Sequence, residues 1–180
     1  KHYDINTTIR SLHMHNEDRL LEKYIKRISG GDTIALISDA GTPLISDPGS
    51  LLVKRCVLES INIECLPGAT AFLPALVISG LNTKHFVFEG FLPLKKGRIT
   101  RLKKLREEQR TMVFYESPHR VLKTLNQFSE YFGESRIISI SREISKLYEE
   151  TKRGTITALI EYYKEKKPKG EFVIIVEGSK

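Results

Sequence analysis

Apolar positions along the chain fall into two kinds of run, and their alternation predicts most of the architecture. Leu20, Leu21, Tyr24, Ile25 and Ile28 recur at helical spacing. Asn16-Glu17-Asp18 before them reads as a cap followed by two acids in the first turn, and Gly30-Gly31 stops the run. A short apolar stretch, Thr33 to Ile37, then predicts a buried strand, with a weaker one at Thr7 to His13. A helix over about Leu51 to Glu59 buries Leu52, Val53, Cys56 and Val57, and a strand over Asn62 to Leu66 ends at Pro67-Gly68. This helix–strand rhythm predicts a parallel sheet covered on both faces.

After a helix over Ala69 to Ser79, the stretch Gly80-Leu81-Asn82-Thr83-Lys84 is the expected boundary between two α/β domains, 1–82 and 83–180. The pattern then restarts. Strands are expected at Phe86 to Glu89, Thr111 to Tyr115, Arg136 to Ile140 and Glu171 to Val176. Helices are expected at about Arg98 to Gln109, Pro118 to Phe132 and Thr155 to Lys166. Ser117-Pro118 has the form of a helix start, a capping hydroxyl followed by proline.

Composition narrows the classes. The 180 residues are 40% hydrophobic and 28% charged. No run approaches the roughly 18 consecutive apolar residues of a membrane span, and the first ten residues lack the form of a signal peptide. Cys56 and Cys65 have no metal spacing and read as reduced thiols of a cytosolic protein. His13 and His15 could place two imidazoles on one strand face, but no third ligand lies nearby, so a hydrogen-bonded pair is the default and no metal is expected. The net charge of +7 is uneven: residues 1–90 carry −1 and the remainder +8, with eight bases and two acids between Lys95 and Arg110. Such a stretch either recruits a polyanion or forms a solvated helix face.

Three loops follow strand ends, where open α/β sheets hold ligands. SDAGTPLISDPG follows the Ile34 strand, LPGATAF the Ile63 strand, and YESPHR the Val113 strand. The first has neither GxxxxGK[ST] nor GxGxxG, which speaks against a triphosphate. It offers instead a close backbone approach at Gly41 and the hydroxyl of Thr42, which suits a neutral or zwitterionic nucleoside. Taken alone it also reads as a structural turn.

Together, in this order, the loops resemble the tetrapyrrole methylase superfamily. The likeness extends through HMHNE, ALISDAGTPLISDPG, LPGATAFLPALVISGL, FEGFLP, FYESPHR, SREISKLYEE, RGT and GEFVIIVEG. It implies two α/β domains with S-adenosyl-L-methionine in the cleft between them, and a homodimer. Carried over by position, Ala40, Gly41, Thr42 and Ile45 match the first cofactor loop, Thr70 and Ala71 the second, and Tyr115, Glu116 and Ser145 the adenosine side. FYESPHR with SDAGTPLISDPG points to the superfamily's RNA branch. That branch implies a cytoplasmic enzyme methylating the ribose 2′-hydroxyl of a cytidine in small-subunit ribosomal RNA, naked or in the subunit.

Glu116, His119, Glu143 and Lys146 are candidates to assist that poor nucleophile, each also readable as a cap or surface ion pair. Lys95, Lys96, Arg98, Arg101 and Lys104 are the expected phosphate contacts, with Arg120, Lys152 and Arg153 behind them. Their helix is expected to bury Ile99, Leu102 and Leu105. Two alternatives stand: a tetrapyrrole (precorrin-type) methyltransferase, and a noncatalytic RNA- or ribosome-binding fragment. The second arises because family members begin with a strand, a PxxxGN loop, a helix and a further strand that do not precede Lys1 here. The first domain is expected to need them, and these 180 residues alone are expected to show weak or absent activity.

Overall fold

The computed structural model describes residues 4–179, in two compact units that meet in sequence at Ala69 and Thr70. The second unit therefore begins before the Gly80–Lys84 stretch. The reason is packing: helix α3 (Phe72–Val77) contributes Ala75 and Leu76, both buried against Val113, Val173 and Ile175 of that unit's sheet.

The first unit contains α1 (Glu17–Ser29) and α2 (Ser50–Leu58). Tyr24, Ile25, Leu52 and Cys56 form its small core, with Ile34 and Ile61 against it. Asn16 does not cap α1 through its side chain. Its Oδ1 accepts from the His13 amide at 2.8 Å, and its Nδ2 donates to the Ser11 carbonyl at 3.1 Å. The buried carboxylate of Glu17 instead serves α2: Oε1 accepts from the amides of Leu51 and Leu52 at 2.8 and 3.2 Å. Gly49, which precedes α2 with φ 119°, has no side chain to do so.

The strands expected at 7–13, 33–37 and 62–66 are not formed among the described residues of this unit. A strand exists through its ladder, and these segments have no hydrogen-bonded neighbour strand. Ile9, Ile37 and Leu66 are correspondingly exposed. Apolar composition signals burial; it does not supply a partner.

The second unit is an α/β layer structure around a five-stranded sheet. Its strands are β1 (Phe86–Phe91), β2 (Thr111–Glu116), β3 (Ile137–Arg142), β4 (Glu150–Thr155) and β5 (Phe172–Val176). The order is β1-β2-β5-β3-β4. Only β1 and β2 are parallel; the other pairs run antiparallel, so the sheet is mixed rather than parallel. Alternation sends Met112, Phe114, Ile174 and Val176 into a core under α4 (Arg98–Leu105), α5 (Val121–Phe132) and α6 (Ile156–Glu165). Val113, Val173 and Ile175 face α3 on the opposite side. Helix α6 is capped by Thr155, whose hydroxyl accepts from the Ala158 amide at 3.2 Å.

The β1–β2 register slips between Phe88 and Gly90, so Glu89 is an extra residue and Phe91 pairs with Tyr115. Without it, parity would place Phe91 in line with Glu116, on the side covered by α4, α5 and α6.

Candidate functional site

The SDAGTPLISDPGS loop of the first unit is bent by residues that few sequences tolerate. Gly41, Leu44, Ser46 and Gly49 all have positive φ, and for Leu44 and Ser46 that conformation is strained. Such strain concentrates where a loop's shape serves a purpose. The loop is tied from within and from outside. Ser38 Oγ donates to the carbonyls of Ala40 and Gly41 at 3.2 and 2.8 Å. Thr42 Oγ1 donates to the Ala69 carbonyl at 3.1 Å. A Cβ at Gly41 would stand 3.5 Å from that same carbonyl, and one at Gly68 3.6 Å from Thr42 Oγ1. The first unit thus brings the Ala40–Thr42 segment against the Pro67–Ala69 loop. Ala40 and Gly41 are exposed, and Thr42 and Ile45 half-buried. Thr70 and Ala71 open the second unit, where the Ala71 carbonyl accepts from the Ala75 amide at 3.3 Å.

In the second unit, strand register collects the other candidates at one end of the sheet. Glu116 pairs with Phe172, and Phe172 with Arg142, so the segments after β2 and β3 leave the same edge. Tyr115 lies between two rings, edge-on to Phe88 at 5.3 Å and tilted against Phe91 at 5.5 Å. Glu116 is buried and fully engaged. Its Oε1 accepts from the Ser117 amide at 2.8 Å and forms an ion pair with the Arg120 guanidinium at 2.9 Å. Its Oε2 accepts from Thr124 Oγ1 at 2.6 Å and lies 3.8 Å from Arg98 Nη2. Each carboxylate oxygen accepts one hydrogen bond and faces a guanidinium, an arrangement that ties Glu116 to its neighbours.

His119 is exposed in the turn before α5. Glu143 and Ser145 have positive φ. Glu143 Oε1 accepts from the Glu171 amide at 2.8 Å, and Lys146 Nζ lies 3.3 Å from Glu143 and 3.0 Å from Glu171. The Glu171 amide holds the Glu143 carboxyl below its ordinary value, with Lys146 adding to the effect. Lys146 is raised, chiefly by its bond to Glu171. Both are charged partners in an ion-pair trio at neutral pH, and neither is poised to move a proton.

The basic stretch departs from its expected arrangement. Arg98 is buried, not outward: Nε donates to Gln127 at 2.7 Å, Nη1 to the Pro93 carbonyl at 3.1 Å, and Nη2 to Thr124 at 2.7 Å. Burial pushes its guanidinium down, Glu116 opposes that shift, and Arg120 adds to it. It takes the core stripe with Leu102 and Leu105, while Ile99, expected inside, is exposed. The i, i+4, i+7 spacing of these three was the available signal; that an arginine could fill it depends on Glu116, Thr124 and Gln127, which lie 18 to 29 positions away. Arg101 is clamped by Glu89 at 2.7 and 2.5 Å. Lys95, Lys96 and Lys104 are exposed. Arg153 donates to the Ile78 carbonyl after α3, and Lys152 lies 4.9 Å over the Tyr162 ring.

Among the described residues no group of three His, Cys, Asp or Glu is arranged to hold a metal, and no helix is long and apolar enough to cross a membrane. The rings of His13 and His15 stand 6.0 Å apart, tilted by 59°.

Comparison with known proteins gives these clusters a context. The sequence is 43% identical over 180 residues to ribosomal RNA small subunit methyltransferase I of Synechocystis sp., covering 99% of this chain and 64% of the relative. It is 45% identical to the protein of that name from Xylella fastidiosa (99% and 66%) and 46% to that from Haemophilus influenzae (98% and 64%). The chain thus spans just under two thirds of the length of these curated relatives. Among solved structures, the methyltransferase CobJ superimposes with a TM-score of 0.65 at 20% identity, covering 96% of this chain and 74% of that one. Uroporphyrin-III C-methyltransferase from Thermus thermophilus, complexed with S-adenosylhomocysteine, gives 0.59 at 15% identity, covering 88% and 73%. These two likenesses establish the fold. The family model for tetrapyrrole (corrin/porphyrin) methylases matches residues 1–160, and the chain belongs to that family.

Proposed function

We propose that this protein is an S-adenosyl-L-methionine-dependent methyltransferase acting on the ribose 2′-hydroxyl of a cytidine in small-subunit ribosomal RNA. The observation that carries this reading is 43–46% identity, over 98–99% of the chain, to proteins named ribosomal RNA small subunit methyltransferase I. The first-unit loop suits such a cofactor: it has backbone polar groups and a hydroxyl near an exposed, positive-φ glycine, and lacks a phosphate-binding motif. Ala40, Gly41, Thr42 and Ile45, with Thr70 and Ala71, are the residues we assign to holding it. Tyr115 and Ser145 are assigned to the adenosine, and Glu116 acts by fixing the segment that carries Tyr115.

When bound, the cofactor supplies a methyl group already activated on a sulfonium. The chain's own residues then have to align the acceptor, exclude water and handle one proton. Of the four candidates, His119 is assigned the proton, because imidazole is suited to transfer near neutral pH and this one is exposed. Lys95, Lys96, Lys104 and the partly exposed Arg101 are assigned to phosphates. We place the protein in the cytoplasm, as a homodimer of the family's two-α/β-domain type, with the small ribosomal subunit as partner.

The tetrapyrrole reading is favoured by the family's description and by structural neighbours whose 15–20% identity carries fold and not substrate. Incubation with methyl-labelled S-adenosyl-L-methionine and small subunits, naked ribosomal RNA or precorrins decides the matter. Label in ribosomal RNA, free or in subunits, supports the proposal. Label in precorrins selects the alternative, and no label with a folded protein rejects catalysis by this chain.

A further inference from the structure

The edge of β1 carries a groove of about 590 Å³ whose walls include Phe91, Pro93, Thr100, Arg101 and Lys104. That volume lies within the roughly 300–1,000 Å³ usual for small-molecule sites. We propose that this groove is a stacking site for one unpaired nucleobase of an RNA strand, with the Phe91 ring as platform. The proposal rests on the RNA reading above and goes beyond it, since phosphate contacts alone do not require an aromatic surface.

A single exposed phenylalanine needs no explanation; this one has a setting. The extra residue Glu89 moves Phe91 from the face covered by α4, α5 and α6 to the α3 face, opposite Tyr115. Half of the side chain is left open, at 50% exposure. Its ring is nevertheless fixed. Tyr115 meets it at 5.5 Å, and the Arg120 guanidinium stands 6.0 Å from its centroid. Arg120 is itself held by the buried Glu116 carboxylate at 2.9 Å. A ring held by anchored neighbours gives up little rotamer freedom when a base stacks on it.

Charge identifies the occupant. Glu89 is the groove's acid, and its side chain is buried and engaged by Arg101. Lys104 on the wall and Lys95 and Lys96 in the adjoining loop leave the rim positive. An aromatic platform flanked by cations matches a nucleobase with phosphates on either side. Stacking is indifferent to base identity and is worth about 1–3 kcal/mol per base.

The test uses the intact protein and a single-stranded oligoribonucleotide carrying 2-aminopurine, whose fluorescence is quenched by stacking. Phe91→Ala is expected to bind about 5- to 150-fold more weakly, to lose the bound-state quench, and to keep the salt slope of the wild type. Phe91→Tyr keeps both quench and affinity, while Phe91→Leu, which retains the apolar contact with Tyr115, behaves like alanine. Replacing Lys95, Lys96 and Lys104 together with alanine lowers the slope by about 0.7 for each phosphate no longer neutralised and leaves the quench at saturation. If Phe91→Ala, melting as the wild type does, binds and quenches like the wild type, the stacking site falls. The RNA reading then survives only if the lysine variant still lowers the slope. Failure of the folded wild type to bind the oligonucleotide removes both. Loss of affinity for S-adenosylhomocysteine instead of RNA would reassign the ring to the cofactor.

Discussion

Replacing Glu116 with glutamine changes one atom and separates two roles for that residue. In the native site Oε1 faces the Ser117 amide and Arg120, and Oε2 faces the Thr124 hydroxyl and, at 3.8 Å, Arg98. An amide must put its NH2 at one of these places. Turned toward Ser117 and Arg120, it meets two donors. Turned toward Thr124, it meets a hydroxyl already accepting from Arg98 at 2.7 Å, whose own proton then loses its acceptor. Either way a hydrogen bond is lost, together with the negative charge facing two guanidiniums, one of them buried. Breaking one side of a buried pair costs about 3–5 kcal/mol. For a chain of this length that corresponds to a fall in Tm of about 6–20 °C, read by circular dichroism. Arg98→Met removes the other side, so the double variant should be more stable than the sum of the singles by more than about 1 kcal/mol. A glutamine variant that melts within about 2 °C of the wild type while losing methyl transfer would refute the holding role and restore Glu116 as a base.

Three further outcomes are expected. Thr42→Val removes the donor to the Ala69 carbonyl; losing about 1 kcal/mol of loop closure should weaken S-adenosylhomocysteine binding about fivefold by calorimetry, and unchanged binding would detach this hydrogen bond from the cofactor. Glu108 is held down to about 2 by its bonds to the side chain and amide of Arg110. Because its folded value lies below the unfolded one, it stabilises above the ordinary carboxylate range and stops doing so as pH falls toward 2. The stability gap between wild type and Glu108→Gln, measured by urea titration, should therefore be full at pH 7 and close between about pH 4.5 and 2; a gap that does not vary with pH contradicts this. Gly178→Ala would drive a methyl group into the Gln109 carbonyl, costing about 1–3 kcal/mol as overpacking, and an unshifted urea midpoint would mean the backbone at Gly178 moves freely aside.

What could be read from the residues depended on where partners lie. Val173 to Val176 and Met112 to Phe114 announce central strands, because nothing but burial on both faces explains such runs. Strand β4, with the sequence ETKRGT, carries no such run. It is a strand because β3 offers it a complete edge, and that is invisible locally. The Ile34 and Ile63 segments err the other way, apolar but without a ladder partner. Helix α5 begins at Val121, three residues after Pro118, because the turn is closed by the Arg120 amide on the Ser117 carbonyl while Glu116 takes the Ser117 amide. Loop chemistry was legible at Gly41 and Thr42, whose types suit close approach. The fate of Arg98 was not, since a basic residue's direction is decided by distant acceptors.

The carboxylate of Glu17 has a consequence for the loop that ends at Ser50. That loop is moored at its far end to the first turn of α1, more than thirty positions earlier in the chain. Its curvature is therefore inherited as well as local. A change confined to the α1 entrance would release the end of the loop at Ser50 without altering any residue that lies along it.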